Sequence, residues 1–197
     1  MHYYISSLLI SILALWIFYF RFEKKQIRTR RLVIIAVMTA FSVLGRFIFA
    51  VIPGFKPISA MVIITAIWLG PEAGFITGSM SAFISNIYFG QGPWTPYQMI
   101  AWGLIGVLAG LFSKPLKKNT PFLCIFGALS AILFSCIMDL WTAIWLADGF
   151  SFAVYKAAFL TALPQMVVYG ISNVLFLTFL GKPFGEKLER ILTKYRI

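Results

Sequence analysis

The chain has 197 residues, of which 60% are hydrophobic and only 12% are charged, and its mean hydropathy is +0.89. A soluble domain of this length needs more charge to cover its surface, so the composition excludes the soluble classes and predicts an integral membrane protein. The formal net charge of +11 does not indicate nucleic-acid binding, because the 17 Lys and Arg residues cluster between apolar runs instead of spreading over one face.

The first apolar run covers residues 3–20 and is followed, not preceded, by positive charge. A cleaved signal peptide has the opposite charge order, so we interpret this run as a retained helix with its N-terminus outside. Six further apolar runs predict helices, two of them short for a full span, at residues 32–52, 58–69, 73–89, 99–112, 122–147 and 161–180. Gly70-Pro71-Glu72 predicts a tight turn, and residues 151–160 are compatible with a short interfacial helix.

The positions of the basic residues predict the orientation. Fourteen of the 17 Lys and Arg residues lie in three segments, 21–31, 113–119 and 182–197. Because short cytoplasmic loops retain positive charge, we expect all three segments to be cytoplasmic. The chain is then a single membrane domain over 1–197, with an extra helix at 3–20, a six-helix core at 32–181 and a basic cytoplasmic tail at 182–197.

Two ionisable residues, Arg46 and Asp139, lie inside the predicted spans. Such residues cost a few kcal/mol each at the bilayer centre, so they are functional candidates. At 1.5 Å per residue from the cytoplasmic helix ends, both lie roughly 21–25 Å up, in the outer third of a ~30 Å hydrocarbon core. At this depth they can pair with each other or contact a ligand, and both alternatives stay open.

Amide and aromatic side chains reach the same height as these two residues. One interpretation is an outward-facing pocket for a large, largely uncharged ligand. The alternative is an interfacial aromatic belt, with Arg46 extending to the lipid headgroups. The candidate ligand-binding residues are Arg46, Lys56, Asn86, Gln91, Trp94, Tyr97, Gln98, Trp102, Asp139, Trp141, Trp145 and Gln165.

Small residues recur at four-residue spacing in two of the predicted helices, a pattern that lets helices approach closely. One set is Ala36 and Ala40, in the second run. The other set begins at the predicted turn and comprises Gly70, Gly74, Gly78, Ala82 and Asn86. Plain helix packing within the bundle accounts for the second set.

Three motifs between residues 55 and 112 resemble the S components, the substrate-binding subunits, of energy-coupling-factor (ECF) transporters. They are Lys56-Pro57 opening a short helix, Gly-Pro-Glu-Ala-Gly at 70–74 and Phe-Gly-Gln-Gly-Pro-Trp-Thr-Pro at 89–96. The loop at 89–96 is most similar to the cobalamin-specific members. The resemblance implies an all-α integral membrane protein of the prokaryotic cytoplasmic membrane. Its six-helix S-component bundle carries one extra N-terminal transmembrane helix.

The resemblance also implies a function. Such a subunit binds a vitamin, here cobalamin or a related corrinoid, from outside. It delivers the vitamin inward together with a membrane coupling (T) subunit and two cytoplasmic ATPase subunits. The chain contains no Gly-x-x-x-x-Gly-Lys-Ser/Thr phosphate-binding loop, so the energy would come from those partners. In the family, Ala36 and Ala40 correspond to the contact with the coupling subunit, and no resident cofactor or catalytic residue is implied.

Several alternatives remain at this point. The ligand could be another vitamin, namely pantothenate, folate or a queuosine precursor. Met1-His2 matches cobalt- and nickel-specific relatives, but a transition metal generally needs several ligands and His2 is the single histidine. The same lack of histidine argues against a metalloprotease or serine hydrolase. A non-transporting membrane scaffold is the alternative from another class.

Cys124 and Cys136, roughly 18 Å apart on one predicted helix, are too distant for a disulfide.

Overall fold

The structure is a computed structural model that describes residues 2–23 and 29–195, and within these ranges it consists of helices and short connections. Lys24, Lys25, Arg28 and Arg196, which contribute to the predicted orientation, lie outside the described residues, as do Met1 and the side chain of His2. The helices are α1 (His2–Glu23), α2 (Thr29–Ile48), α3 (Ile58–Leu69), α4 (Pro71–Phe89), α5 (Thr95–Leu111), α6 (Ser113–Lys118), α7 (Thr120–Ala147) and α8 (Phe152–Tyr195).

Three of the described helices, α2, α7 and α8, are long and apolar enough to cross a membrane, and α3 and α5 are shorter apolar helices. Large apolar side chains point outward around the bundle; Leu9, Ile48 and Phe179 are 61%, 70% and 70% exposed. An apolar exterior of this extent suits a lipid environment and not water. The predicted class, an all-α membrane protein, is confirmed.

Helix α3 lies at the centre of the bundle. Each of its 12 residues except Trp68 is buried, and the helix packs against α2, α4, α5 and α8. A helix that is apolar on all sides must be surrounded by other helices, which explains why this short run lacks a polar stripe. Gly70 separates α3 from α4 with φ at +89°, a backbone conformation that favours glycine. The predicted turn is therefore present.

The small residues of α4 bring this helix directly onto the backbone of α5. A Cβ atom added to Gly78 would lie 2.5 Å from the carbonyl group of Trp102, and one added to Gly74 would lie 2.8 Å from the carbonyl oxygen of Gly106. A side chain at either position would push the two helices apart. The close contact holds the C-terminal half of α4, where Asn86 lies, against the start of α5.

The last helix is much longer than predicted. Helix α8 is continuous over 44 residues, about 66 Å, and passes through Pro164 and Pro183. The sequence predicted a span at 161–180 followed by a tail from 182, and left residues 151–160 compatible with a separate short helix. In the structure, residues 152–160 and 182–195 are instead continuous with the span. Each proline removes one backbone donor, but neighbouring helices and local adjustment compensate for this loss in membrane helices.

Other helix ends differ from prediction by a few residues for local reasons. Helix α2 ends at Ile48, and residues 49–52 form turns. Helices α4 and α5 begin earlier than predicted, because Pro71 and Pro96 occupy first-turn positions where the missing N–H has no partner to lose. Helix α7 begins at Thr120, where the Asn119 side chain accepts a hydrogen bond from the Phe122 N–H at 3.0 Å. The loop predicted at 113–119 contains the short helix α6.

Candidate ligand-binding site

Arg46 is the centre of a buried polar cluster at one end of the bundle. It lies in the last turn of α2 and is 9% exposed. Its Nη1 donates hydrogen bonds to Ser85 Oγ at 2.5 Å and to Asn86 Oδ1 at 2.8 Å. The guanidinium lies 4.5 Å from the ring centroid of Phe89. A guanidinium carries five N–H donors, so these two bonds leave donor capacity for a ligand.

Asn86 connects this arginine to α5. Its Nδ2 donates to Thr95 Oγ1 at 3.0 Å and to Gln98 Oε1 at 2.8 Å, and the residue is 1% exposed. With Oδ1 bound to Arg46, the amide uses both its donor and its acceptor side. Three helices, α2, α4 and α5, are therefore joined by one side chain in a low-dielectric setting, where such bonds are strong.

The loop between α4 and α5 is fixed onto the same cluster. Thr95 Oγ1 donates to Gln91 Oε1 at 2.9 Å and accepts from the Gly92 N–H at 3.3 Å. Gln91 Nε2 donates to the Phe83 carbonyl at 2.8 Å. The ring of Trp94 lies against Gly92, where a Cβ atom would collide with it. This loop, residues 90–94, covers the cluster as a hydrogen-bonded cap.

A second hydrogen-bonded group lies beside Arg46; of its members the sequence predicted Trp102 but not Ser59 or Tyr169. Trp102 Nε1 donates to Tyr169 Oη at 2.6 Å, and Tyr169 Oη shares a 2.5 Å hydrogen bond with Ser59 Oγ. Trp102 also stacks on Phe134, with ring centroids 4.8 Å apart, and its ring lies 5.6 Å from the Arg46 guanidinium. The group joins α3, α5 and α8 to the Arg46 cluster.

Lys56 supplies a second positive charge at this end of the bundle. Its backbone N–H donates to Ser172 Oγ at 2.9 Å, and Ser172 Oγ donates back to the Lys56 carbonyl at 3.1 Å. Burial, and secondly the nearby Arg46 charge, lower the pKa of Lys56 from 10.5 to about 8. Gly45, where a Cβ would collide with the Pro57 ring, lets this loop pack on α2 next to Arg46.

Asp139 does not complete the cluster as a counter-ion. It is buried on α7 at 7% exposure, and its Oδ2 accepts no hydrogen bond from the described residues. The hydrogen bonds that Arg46 makes go to the neutral partners Ser85 and Asn86. Of the two alternatives left open by the sequence, the structure therefore gives no support to a neutralising pair, and the cluster keeps its positive charge.

The remaining aromatic candidates form a row that begins at Tyr97 on α5 and continues along α7. Tyr97 is buried against Trp141, with centroids 5.3 Å apart, and Trp141 lies 5.4 Å from Trp145. Trp145 is 55% exposed and faces the exterior. Gln165 is exposed on α8 beside Gly54. The structure thus brings Arg46, Lys56, Asn86, Gln91, Gln98 and Trp102 together, and it leaves Trp145 and Gln165 at the surface.

The two alanines predicted to contact a partner are exposed on α2. Cys124 and Cys136 are unpaired, in agreement with their separation. Within the described part of the chain, no group of three or more His, Cys, Asp or Glu side chains could hold a metal ion.

Comparison with known proteins shows which family the chain matches. A family model described as "ECF-type riboflavin transporter, S component" matches residues 26–188. The chain is also similar to a "UPF0397 protein" of Clostridium perfringens (strain SM101 / Type A), with 26% identity over 167 residues, 81% of this chain and 88% of the relative. No solved structure matches. The family match begins after α1, so the extra N-terminal helix lies outside it.

Proposed function

Because the chain belongs to the family of ECF-type riboflavin transporter S components, we propose that it captures a vitamin at the outer end of the bundle for import. The observation that carries this proposal is the Arg46–Asn86–Gln98 cluster, a set of donors and acceptors between three helices and beneath an aromatic-rich loop. Buried polar groups inside a membrane protein are expensive and characteristically serve a function. A ligand would exchange hydrogen bonds with groups that otherwise satisfy one another.

The proposed orientation rests on the distribution of charge. The loop containing α6 and the end of α8 carry most of the basic residues outside the linker at 21–31, which supports a cytoplasmic position for both. The Arg46 cluster then faces outward, and the first helix begins outside. Import would be driven by ATP hydrolysis in two partner ATPase subunits, acting through a membrane coupling subunit.

For the ligand, we favour a flat heterocycle with an acceptor-rich edge, and riboflavin is the first candidate. Arg46 and Lys56 place two cationic donors near each other, and the described hydrogen bonds of Arg46 go to neutral partners instead of a carboxylate. Carbonyl and ring-nitrogen acceptors of a flavin match those donors. Trp102 and Phe134 form a stacked aromatic pair beside these donors, and a planar ring could join this stack once the fully buried Trp102 is uncovered. The description of the matching family also names riboflavin.

Cobalamin is the second candidate, and one specific feature favours it. The Phe-Gly-Gln-Gly-Pro-Trp-Thr-Pro segment at 89–96, which forms the cap over the cluster, is the part of the sequence most similar to cobalamin-specific members. A corrinoid is much larger than a flavin. The loop at 90–94 would have to release its bonds through Gln91 and Thr95 to admit it.

Both ligands are coloured, so one experiment separates them. Purified protein is incubated with riboflavin or cobalamin and desalted, and the retained absorbance is measured. We expect near-stoichiometric retention of riboflavin. Retention of cobalamin instead would replace the ligand but keep the capture function. Retention of neither, in protein that elutes as a folded species, contradicts vitamin capture at this site.

The partner proposal has its own test. Ala36 and Ala40 offer a smooth exposed strip on α2 on which a coupling subunit can pack closely. In the variant Ala36→Leu/Ala40→Leu, co-purification with the coupling subunit and uptake should be lost while ligand retention is unchanged. The matched control is Leu129→Phe, which enlarges an exposed apolar side chain on α7, away from this strip. Normal uptake by the double-leucine variant would place the contact elsewhere.

A further inference from the structure

A groove of about 520 Å³ runs between α2 and the end of α8, at the opposite end of the bundle from the Arg46 cluster. Its floor and walls are apolar, and its polar margin is formed by Arg30, Lys187 and Tyr195. The apolar side chains that line it are Val33, Ile34, Val37, Met38, Phe41, Phe184, Leu188 and Ile191. Neither the ligand cluster nor the match to the family accounts for this feature.

The charges at one end of the groove have a single sign. The Arg30 guanidinium donates from Nη1 to the Tyr195 carbonyl at 3.3 Å and lies 5.6 Å from the Tyr195 ring centroid. The Lys194 ammonium lies 5.5 Å from the same ring. At 100° per residue, the acidic residues of this segment, Glu186 and Glu189, point away from the face that carries Phe184, Leu188 and Ile191.

We propose that this groove binds an anionic phospholipid, with one acyl chain along the apolar floor and the phosphate at the margin formed by Arg30 and Lys187. The combination of an apolar channel and a basic end matches the two parts of such a lipid. Basic pockets between transmembrane helices on the cytoplasmic side are known to bind acidic headgroups. Arg30 lies in the first turn of α2, where the helix dipole disfavours a cation and an adjacent anion would relieve the repulsion.

The groove and the predicted partner strip are neighbours on α2, because Val33, which lines the groove, and Ala40 lie only about 20° apart around the axis. Ala36 lies farther from the groove, roughly 100° around the axis from Val37. A lipid in the groove would therefore join the start of α2 to the end of α8 without covering Ala36. The site goes beyond the proposed vitamin capture and does not depend on it.

The test is native mass spectrometry of the full chain in detergent, titrated with phosphatidylglycerol or phosphatidylcholine of identical acyl chains. We expect the wild type to retain phosphatidylglycerol preferentially and Arg30→Gln/Lys187→Gln to lose about tenfold or more of that preference. The matched control, Lys182→Gln/Arg190→Gln, removes the same amount of charge from exposed positions of α8 that do not line the groove. This control should keep the preference for phosphatidylglycerol.

A second variant separates the groove from a merely basic surface. Val37→Trp narrows the apolar floor and keeps every charge, so retention of phosphatidylglycerol should also fall. The proposal would be overturned if Arg30→Gln/Lys187→Gln and its control lost the preference for phosphatidylglycerol equally. Full retention of phosphatidylglycerol by Val37→Trp would also overturn it. So would a groove variant that keeps its lipid preference but loses co-purification with the coupling subunit, because the groove would then be a protein contact.

Discussion

The two ends of this bundle bury opposite kinds of surface. At the end that contains the Arg46 cluster, Arg46 and Asn86 are enclosed, and their hydrogen bonds join three helices, α2, α4 and α5. At the other end, the groove between α2 and α8 is apolar along its length and carries its charge at the margin. An enclosed polar network fixes one geometry and recognises directional donors and acceptors. An open apolar groove instead selects for shape and for the charge at its end.

The same kind of substitution should therefore have very different effects at the two ends. The largest difference is expected for arginine. Arg46→Met removes the donor to Ser85 and Asn86 and leaves buried acceptors unpaired, so the dissociation constant for the retained vitamin should rise about hundredfold. Arg30→Met, at the groove, should change it by about twofold or less. Isothermal titration of both purified variants measures the dissociation constants. Similar values for Arg46→Met and Arg30→Met would mean that the two ends of the bundle do not differ in their contribution to vitamin binding.

Substitutions of two tyrosines, one near each end of the bundle, should have a smaller effect, which is on the free energy of unfolding. Tyr169→Phe deletes the hydroxyl that contacts Ser59 and Trp102, both fully buried, so the free energy of unfolding should fall by about 1–3 kcal/mol. Tyr195→Phe keeps the ring under Arg30 and Lys194 at a residue that is 43% exposed, and should change it by about 0.5 kcal/mol or less. Denaturant unfolding in detergent compares them. Equal losses would mean that the Tyr169 hydroxyl is not part of a tight network.

The smallest effect is a pH dependence at Lys56. The folded protein releases this proton near pH 8, whereas the unfolded chain holds it to about 10.5. Between these values the unfolded state binds more protons, so the stability of the ligand-free protein should rise with pH over that interval. Affinity for an acceptor-rich ligand should fall over the same interval as Lys56 loses its charge. Lys56→Met should flatten both profiles, and unchanged profiles in this variant would assign the titration to another group.

The sequence alone predicts much of the framework, because membrane helices follow apolar runs and bends follow Gly and Pro. The boundaries of α3 and the break at Gly70 agree with prediction. Helix α8 was underestimated because Pro164 and Pro183 do not interrupt it, and whether a proline interrupts a membrane helix depends on neighbours that periodicity does not reveal.

The polar site was predicted in part. Depth counting correctly placed Arg46 and Asn86 at one level, since both are counted along regular helices. It missed Ser59, Ser85 and Tyr169, because serine in a membrane helix commonly bonds its own backbone, as Ser85 does to the Ser81 carbonyl at 2.6 Å. The one available signal for Tyr169 was its position one turn from Gln165 on the same apolar run. Which polar groups pair with Arg46 depends on helix rotation, which composition does not fix.

We propose that the Arg46 cluster holds the vitamin, and one matched titration tests this proposal most directly. Asn86→Ala removes the side chain that joins Arg46 to Gln98, while Asn119→Ala makes the same change at the exposed start of α7. Flavin fluorescence is followed as riboflavin is titrated into the wild type and both variants. We expect saturable one-to-one binding of riboflavin to the wild type and to Asn119→Ala, and an affinity that is about tenfold or more lower in Asn86→Ala. Wild-type affinity in Asn86→Ala would contradict it.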